Sequence, residues 1–537
     1  MGTVEEEHDI VIIGAGLTGI YQLFRARAAG FDAVALEAAD GLGGTWYHNR
    51  YPGCRFDSES YTYGYSFSKE LLDEWHWTEH FSPQPENLKY LNHVADKFEL
   101  RPHIRFNCRV QSADYDEQNR RWTLTTDDGR SWRSQFVITA VGILSTPVMP
   151  RLEGIDRFKG QWFHTYNWPH EGVDLAGKRV AVIGTGATAV QLIPVVAQSA
   201  AELFVFQRHP NWCAPLHNGP IDDTEMADIR ARYEEIFERC RQTPGGFIHM
   251  PDRRKPFEVS EDERQEFWEE LYASSGFRIW QGNFRDVLLE ESANEEFSEF
   301  VANKIRERVK DPVTAEKLVP KDHGFGTRRV PMETNYYETY NRENVHLVDL
   351  NESPIQRITE TGLRTTERDY DVDVIVYATG FDAVTGAFEK IDITGVGGAK
   401  LKDKWAEGPV TYLGVQTADF PNFLMVAGPQ AGSGFTNFGR GVEEGVDWTT
   451  QLLCYLRDNN HTTIDTTPEA ETAWGRHVMD MYDVVLLGKV KSWFTGYNSN
   501  IEGRDKMRAV AYNGGAPRYR KRLAEVAANG YEGFVLT

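Results

Sequence analysis

One short pattern, in which β-branched residues run into a glycine-rich turn and then a helix, constrains this chain more than any other feature. Its first copy passes from Asp9 through residues 10–13 into Gly14, Gly16 and Gly19. The pattern predicts a buried strand, a tight turn and a helix to about Ala29, followed by a second strand at residues 33–36. These elements together have the length of one dinucleotide-binding unit.

The pattern occurs a second time far along the chain. A strand from Lys178 leads into Gly184, Gly186 and Ala189, and a helix is expected to about Gln198. Gly184 lies 170 residues after Gly14, which is too far apart for the units of a solenoid. The sequence therefore predicts two separate dinucleotide-binding domains.

The residue after the second strand of the first unit is acidic. Glu37 follows Gly14 by 23 residues, where a carboxylate accepts hydrogen bonds from ribose hydroxyls and would repel a 2′-phosphate. Gly14 permits the turn, Gly16 the approach of a pyrophosphate, and Gly19 the packing of helix on strand. A second glycine cluster at residues 41–46 favours the longer cofactor FAD over NAD, although a plain surface turn remains the alternative. The remaining candidate FAD contacts are Gly44, Thr45, Trp46 and Tyr63.

The corresponding position of the second unit is basic. Arg208 follows Gly184 by 24 residues, and an arginine there pairs with a 2′-phosphate, which indicates NADPH. An exposed arginine with no ligand is the alternative interpretation. The two sites together predict that a hydride passes from NADPH to the flavin.

Composition excludes several other classes of protein. The 80 acidic and 58 basic residues give a net charge of −22, which would repel a nucleic-acid backbone. No apolar run approaches the ~18 residues of a membrane helix, and the acidic first nine residues favour a cytoplasmic protein. The 5 cysteines include no CxxC pair, so neither structural zinc nor another metal site is expected.

We predict an α/β fold of two doubly wound, Rossmann-like domains with a helical insertion. Strands at residues 135–139 and 371–377 lead to Gly142 and Gly380, where we place the domain boundaries. The FAD-binding domain would comprise residues 1–142 and 381–537, the second part carrying the substrate and mobile loops. The NADP-binding domain would comprise residues 143–221, with the linker, and residues 326–380. A charged stretch at residues 222–325 would form the insertion.

The linker between the two glycine motifs carries a family fingerprint. Residues 158–169 place Phe158, Gly160, His164 and Trp168-Pro169 at the fixed positions of the pattern FxGxxxHxxxW(P/D). The chain thereby resembles the class B flavoprotein monooxygenases, and among them the type I Baeyer–Villiger monooxygenases of the phenylacetone and cyclohexanone monooxygenase group. The likeness covers nearly the whole chain. We interpret His164 as a hydrogen-bonding hinge residue and not as a general base.

The resemblance implies a reaction. Flavin reduced by NADPH would react with O₂ to give a C4a-peroxide, which attacks a ketone and yields an ester or lactone. Arg329, in the segment Gly326-Thr327-Arg328-Arg329, matches the catalytic arginine, and Arg328 stands where the family has a lysine that contacts the 2′-phosphate. Asp57 matches the active-site aspartate and would pair with Arg329 and the nicotinamide amide. Without the resemblance, a solvated arginine pair would be the default interpretation.

Two loops complete the expected site. Trp493 matches a tryptophan on the mobile loop that covers bound NADP, and Phe435 stands in the segment where the family lines its substrate pocket. Residues 498–506 depart from the shorter Pro-Gly-Lys type segment of similar proteins. A related enzyme that oxidises sulfides or amines is the main alternative, and a nucleotide-binding sensor is another. The sequence does not select among cyclic, aryl and linear ketones.

Overall fold

The computed structural model describes residues 6–432 and 436–537. Within them the strands are β1 Glu6–Ile13, β2 Ala33–Leu36, β3 Ile104–Arg105, β4 Val110–Asp116, β5 Arg121–Thr126, β6 Ser131–Thr139, β7 Gln161–His164, β8 Arg179–Ile183, β9 Glu202–Gln207, β10 Ala214–Pro215, β11 Met332–Glu333, β12 Val345–Asp349, β13 Ile355–Ile358, β14 Gly362–Thr365, β15 Asp369–Asp371, β16 Val374–Tyr377, β17 Asp392–Thr394, β18 Phe423–Met425, β19 Ile464–Thr466 and β20 Phe534–Leu536.

The α-helices of the same residues range from single turns to the long α16. They are α1 Leu17–Ala28, α2 Thr45–His48, α3 Ser60–Tyr63, α4 Lys69–Glu74, α5 Gln84–Lys97, α6 Ala187–Val196, α7 Asp223–Ala231, α8 Tyr233–Gln242, α9 Glu261–Ala273, α10 Arg278–Gln281, α11 Glu291–Arg308, α12 Pro312–Leu318, α13 Tyr336–Thr339, α14 Gly386–Glu389, α15 Leu401–Lys404, α16 Phe438–Asp458, α17 Pro468–Val484 and α18 Ala516–Ala528.

The first glycine motif follows β1, an interior strand of a large mixed sheet. Its strand order is β17-β4-β5-β6-β1-β2-β3, and β18 also pairs with β6. Strand β1 is parallel to both β2 and β6, and its residues 10–13 are buried, as expected for a strand covered on both faces. The sequence analysis did not predict β4 and β5, which form an antiparallel meander with β6.

The second glycine motif lies in a separate, parallel sheet with the order β12-β9-β8-β16-β7. The predicted α/β class with two dinucleotide-binding sheets is therefore confirmed. Strands of this second sheet begin at Gln161 and end at Tyr377, and β17 and β18 then return to the first sheet. The division of the chain at Gly142 and Gly380 remains a prediction.

Helices α7 to α12 occupy most of the charged stretch at residues 222–325. Their apolar faces meet around Trp268, whose ring lies 5.2 Å from that of Phe297. Phe297 packs in turn against Phe325, just before the Gly326–Arg329 segment. The helices thus form a packed unit whose end leads directly into the candidate catalytic segment.

Among the described residues, no helix is both long enough and apolar enough to span a membrane. Across the same part of the chain, no group of three or more His, Cys, Asp or Glu side chains is arranged to hold a metal ion. All five cysteines are free thiols.

Candidate active site

A cavity of about 1030 Å³ runs along the carboxyl edge of the first sheet. Gly14, Gly16 and Glu37 line one part of it, and Arg329 and Trp493 line another. Ligands of doubly wound sheets bind in the crevice outside the carboxyl ends of the strands, which is where this cavity lies. A volume of this size lies at the upper end of the range for ligand pockets, about 300–1,000 Å³.

The backbone of the first glycine turn is packed too closely for side chains at its glycine positions. Gly14 has a φ of +105°, and a Cβ there would lie 2.7 Å from the carbonyl oxygen of Ala140. A Cβ on Gly44 would lie 3.0 Å from the Cα of Gly16, so the two glycine clusters face each other. No side chain caps the first turn of α1, and its free N–H groups suit a pyrophosphate. These features fit FAD.

Glu37 is fixed beside this turn. Its carboxylate accepts hydrogen bonds from the backbone N–H groups of Ala15, at 2.7 Å, and Ala39, at 2.9 Å. Burial raises the pKa of Glu37, but the two amide donors stabilise its charged form. The carboxylate oxygens keep further acceptor capacity, which suits the ribose hydroxyls predicted from the sequence.

The remaining predicted FAD contacts also line the cavity. Thr45, Trp46 and Tyr63 are all part of its wall, and the Trp46 indole N–H donates to the Tyr63 hydroxyl at 3.1 Å. Burial raises the pKa of Tyr63 to about 12, so the phenol stays neutral. The pair forms a rigid aromatic corner at which a flat ring system would pack.

The second glycine turn is built in the same way. Gly184 has a φ of +111°, and a Cβ there would lie 2.4 Å from the carbonyl oxygen of Ala378. Gly186 precedes α6 without a side-chain cap, and a Cβ on it would meet no atom of the described residues within 4 Å. Ala189 is fully buried. Free N–H groups above an open space form a second place where a pyrophosphate would fit.

Arg208 and Arg328 lie on the side of this second turn. Arg208 is exposed after the end of β9, and its guanidinium donates to Asn500 Oδ1 at 3.2 Å. Arg328 forms a 2.9 Å ion pair with Asp322, which also lies 3.6 Å from Nδ1 of His209. Sequence reasoning missed Asp322, since nothing in its local pattern distinguishes it from other loop acids.

Arg329 and Asp57, 272 residues apart in the sequence, form an ion pair of 2.7 Å. The guanidinium carbon also lies 4.7 Å from the ring centre of Phe277 and 5.9 Å from that of Trp280. The carboxylate and the two rings fix the arginine where it lines the cavity. Neither aromatic residue was predicted, although the aromatic content of the segment that ends in Phe277-Arg278-Ile279-Trp280 was a signal that could have found them.

Trp493 lines the same cavity as Arg329. Phe435 lies outside the described residues. The aromatic and aliphatic side chains that line this part of the cavity are Phe247, Phe277, Trp280, Leu288, Leu289, Phe438, Val485, Leu487, Trp493 and Phe494. Several of them belong to the helical stretch at residues 222–325, for which the sequence analysis predicted only a charged helical insertion. Its inner face contributes to the site instead, because its apolar residues cover the cavity.

His164 ends β7 and is buried. Its Nδ1 accepts a hydrogen bond from the backbone N–H of Tyr166 at 3.1 Å, so this nitrogen carries no proton. Burial lowers the pKa of His164 to about 4. The ring is therefore neutral at physiological pH and lies beside the Phe381 ring at the exit from the second sheet.

Comparisons with known proteins agree with this geometry. Residues 7–222 match the model of the flavin-binding monooxygenase-like family. The chain is 49% identical, over 98% of both chains, to 2-oxo-Δ3-4,5,5-trimethylcyclopentenylacetyl-CoA monooxygenase of Pseudomonas putida. It is 41% identical to cyclopentanone 1,2-monooxygenase of a Comamonas strain, over 99% of this chain and 97% of that protein. A crystal structure of OTEMO in complex with FAD and NADP covers 99% of both chains at 49% identity, with a TM-score of 0.95.

Proposed function

The chain belongs to the Baeyer–Villiger monooxygenases, and from this premise we propose that Arg329 and Asp57 are its catalytic pair. The enzyme uses FAD, NADPH and O₂ to insert one oxygen atom beside the carbonyl group of a ketone, which gives an ester or a lactone. Proteins similar over nearly the full length include a ketone monooxygenase and a protein crystallised with FAD and NADP. Oxidation of sulfides or amines, the alternative weighed from the sequence, is not favoured.

The ion pair of Arg329 with Asp57 is the observation that carries the assignment of roles. FAD, when bound and reduced by NADPH, would supply the electrons that activate O₂. Arginine keeps its positive charge at every working pH, and a fixed cation on the cavity wall stabilises negative charge that develops on the substrate oxygen. Asp57 accepts from Nη2 at 2.7 Å and the Val330 carbonyl accepts from Nη1, and these two contacts hold the guanidinium in place on the cavity wall.

The cofactor contacts follow from the two turns. FAD would be held by Gly14, Gly16, Gly19, Glu37, Gly44, Thr45, Trp46 and Tyr63. NADPH would be held by Gly184, Gly186, Ala189, Arg208, Arg328 and Trp493. The exposed Arg208, whose partner in the described residues is the neutral Asn500, supports the assignment of the phosphorylated cofactor to the second site.

We propose a ring ketone of cyclopentanone size as the substrate. The apolar, aromatic wall around Trp280 and Trp493 suits a compact hydrocarbon ring. Both relatives described above have a five-membered ring in the name of their substrate. Phe435 remains a candidate contact of this substrate.

The test is a product assay with purified, FAD-containing protein. Cyclopentanone, cyclohexanone, an aryl ketone and a linear ketone would each be incubated with NADPH in air, and esters and lactones measured by gas chromatography. A thioether and a tertiary amine form the comparison set. We expect lactone from the cyclic ketones in a stoichiometric ratio to NADPH consumed. Oxidation of the thioether or amine without any ester from the ketones would overturn the proposal.

A further inference from the structure

The segment from Ser492 to Val510, here called the Trp493 segment, contains one buried charge. Arg504 has a side chain that is only 4% exposed, whereas its neighbours Gly503 and Asp505 are exposed. Burying a guanidinium is unfavourable unless the charge is paired. A buried arginine in an otherwise exposed, charged loop therefore indicates specific partners.

Two carboxylates meet Arg504. Its Nε lies 3.5 Å from Asp382 Oδ1, and its Nη2 forms an ion pair and hydrogen bond with Glu389. Burial raises the pKa of both acids, and the arginine opposes that rise. The two carboxylates also repel each other, so the cation between them stabilises both. We call these three residues the Arg504 clamp.

The clamp joins the Trp493 segment to the exit of the second sheet. Asp382 lies five residues after the end of β16, and Glu389 ends α14. The backbone of the segment folds back on itself at the same place, because the Asn498 N–H donates to the Arg504 carbonyl at 2.8 Å. The Asn498 side chain adds a 3.2 Å hydrogen bond to the Phe381 carbonyl. Arg504 and Asn498 thus fix the loop on both sides of its tip.

Two residues of the Trp493 segment lie where NADPH is expected to bind. One is near Arg208, the expected contact of the 2′-phosphate, and the other is on the wall of the cavity. Asn500, at the tip, accepts from Arg208 at 3.2 Å. Trp493, at the start, lines the cavity. Because Arg504 holds the loop, Asn500 lies at the expected position of the 2′-phosphate and Trp493 lies on the wall of the cavity.

We propose that Arg504 is a positioning residue for NADPH, acting through Asp382 and Glu389 to hold the Trp493 segment in the position seen in this structure, with Trp493 on the cavity wall, which we call closed. The inference rests on the proposed function insofar as the second site binds NADPH. Arg504 touches neither cofactor nor substrate in this arrangement. Its contribution is to raise the population of the closed segment, and the apparent Kd of a ligand rises in proportion when the binding-competent population falls.

The experiment compares Arg504→Gln with Arg504→Lys in FAD-loaded enzyme. The Kd of NADP⁺ is measured by calorimetric titration, and trypsin cleavage within residues 491–508 is followed with and without NADP⁺. If the closed population drops to about a tenth, the Kd of the Gln variant rises about tenfold, with faster cleavage in the segment. The lysine variant keeps the charge and recovers most of the affinity. KM for NADPH changes more than kcat.

Glu502→Gln is the matched control, since Glu502 lies in the same segment in an exposed 3.4 Å pair with Arg151, and such pairs contribute little. Asp382→Asn and Glu389→Gln test the acceptors, and they replace the arginine variant if it loses FAD. Unchanged NADP⁺ affinity and unchanged cleavage in FAD-containing variants of all three clamp residues overturn the proposal. A weaker Kd in a protein that forms no ester would support the clamp while rejecting the proposed function.

Discussion

Arg329 shows how much a single residue depends on its neighbours. Its charge is available from the sequence, but its place is set by Asp57 and by the rings of Phe277 and Trp280. The next residue, Arg328, is paired with a different acid, Asp322. The two adjacent arginines therefore have different surroundings, because Arg329 lines the cavity and Arg328 pairs with Asp322.

We expect Arg329→Ala to keep FAD and to lose ester formation. Removing one fixed donor that stabilises developing charge costs about 3 kcal/mol, or roughly 10²-fold in kcat. NADPH oxidation continues and releases hydrogen peroxide. Arg329→Lys recovers only part of the ester yield, because lysine lacks the planar set of donors. NADPH loss, peroxide and ester are measured in one sample, and a wild-type ester yield in the Ala variant would remove Arg329 from the mechanism.

Arg208→Ala tests the choice of nicotinamide cofactor. Loss of a charge-assisted contact to the 2′-phosphate weakens binding by roughly 1.5–3 kcal/mol. KM for NADPH should rise accordingly, whereas KM for NADH, which lacks that phosphate, should change little. Steady-state kinetics with both cofactors provide the internal control. Equal NADPH kinetics in the variant and the wild type would show that the 2′-phosphate lies elsewhere.

At the scale of elements, the strand–turn–helix unit uses its glycines for two different purposes. Gly184 is needed by the backbone, because of its φ of +111° and the carbonyl oxygen of Ala378. Gly186 has a φ of −77° and open space where its Cβ would lie. The second position is therefore free for a side chain in the unliganded fold, and only a bound pyrophosphate would compete for that space.

Gly186→Ala should leave the melting temperature and FAD content unchanged and raise the Kd of NADP⁺. Gly184→Ala, in contrast, should lower the stability of the fold itself, by about 1–3 kcal/mol for a residue forced into a strained conformation. Thermal unfolding, flavin absorbance and NADP⁺ titration separate the two outcomes. A Gly186→Ala variant with native NADP⁺ affinity would place the pyrophosphate away from this turn.

At the scale of the whole molecule, the helical stretch contacts the loop that carries Asp57, close to the pair proposed to be catalytic. His249 Nε2 lies 2.7 Å from Glu59 Oε1, where Glu59 is buried and the His249 side chain is 11% exposed. Glu59 is two residues from Asp57, so this contact joins the inner face of the helical stretch to the loop that carries the aspartate. The same stretch contributes Phe277 and Trp280 to the arginine site.

His249→Ala should destabilise the protein by about 2 kcal/mol, the scale of a buried hydrogen bond to a charged group. Glu59→Gln completes a double-mutant cycle, in which the two losses should not add. Urea unfolding gives the free energies, and His217→Ala, an exposed histidine that bonds the Tyr272 carbonyl, serves as the control. Fully additive losses would mean that the two side chains do not stabilise each other.

The sequence by itself determined the features that depend on neighbouring residues. Local patterns predict strands β1 and β8, the two glycine turns, and the charges at Glu37 and Arg208. Each of these features depends on residues that are close together in the sequence. The linker fingerprint around His164 then indicated the family, and through it Asp57 and Arg329.

Only the tertiary structure decided which distant residues meet. Four contacts join segments that no local pattern connects. They are the rings of Phe277 and Trp280 beside Arg329, the pair of Glu59 with His249, Asp322 beside Arg328, and Arg504 between two acids. The antiparallel β4–β5 meander was missed for the same reason, because its pairing depends on the strands beside it. Burial and pairing are properties of the packed chain, since a charge or a ring acquires its partners only when helices and sheets enclose it.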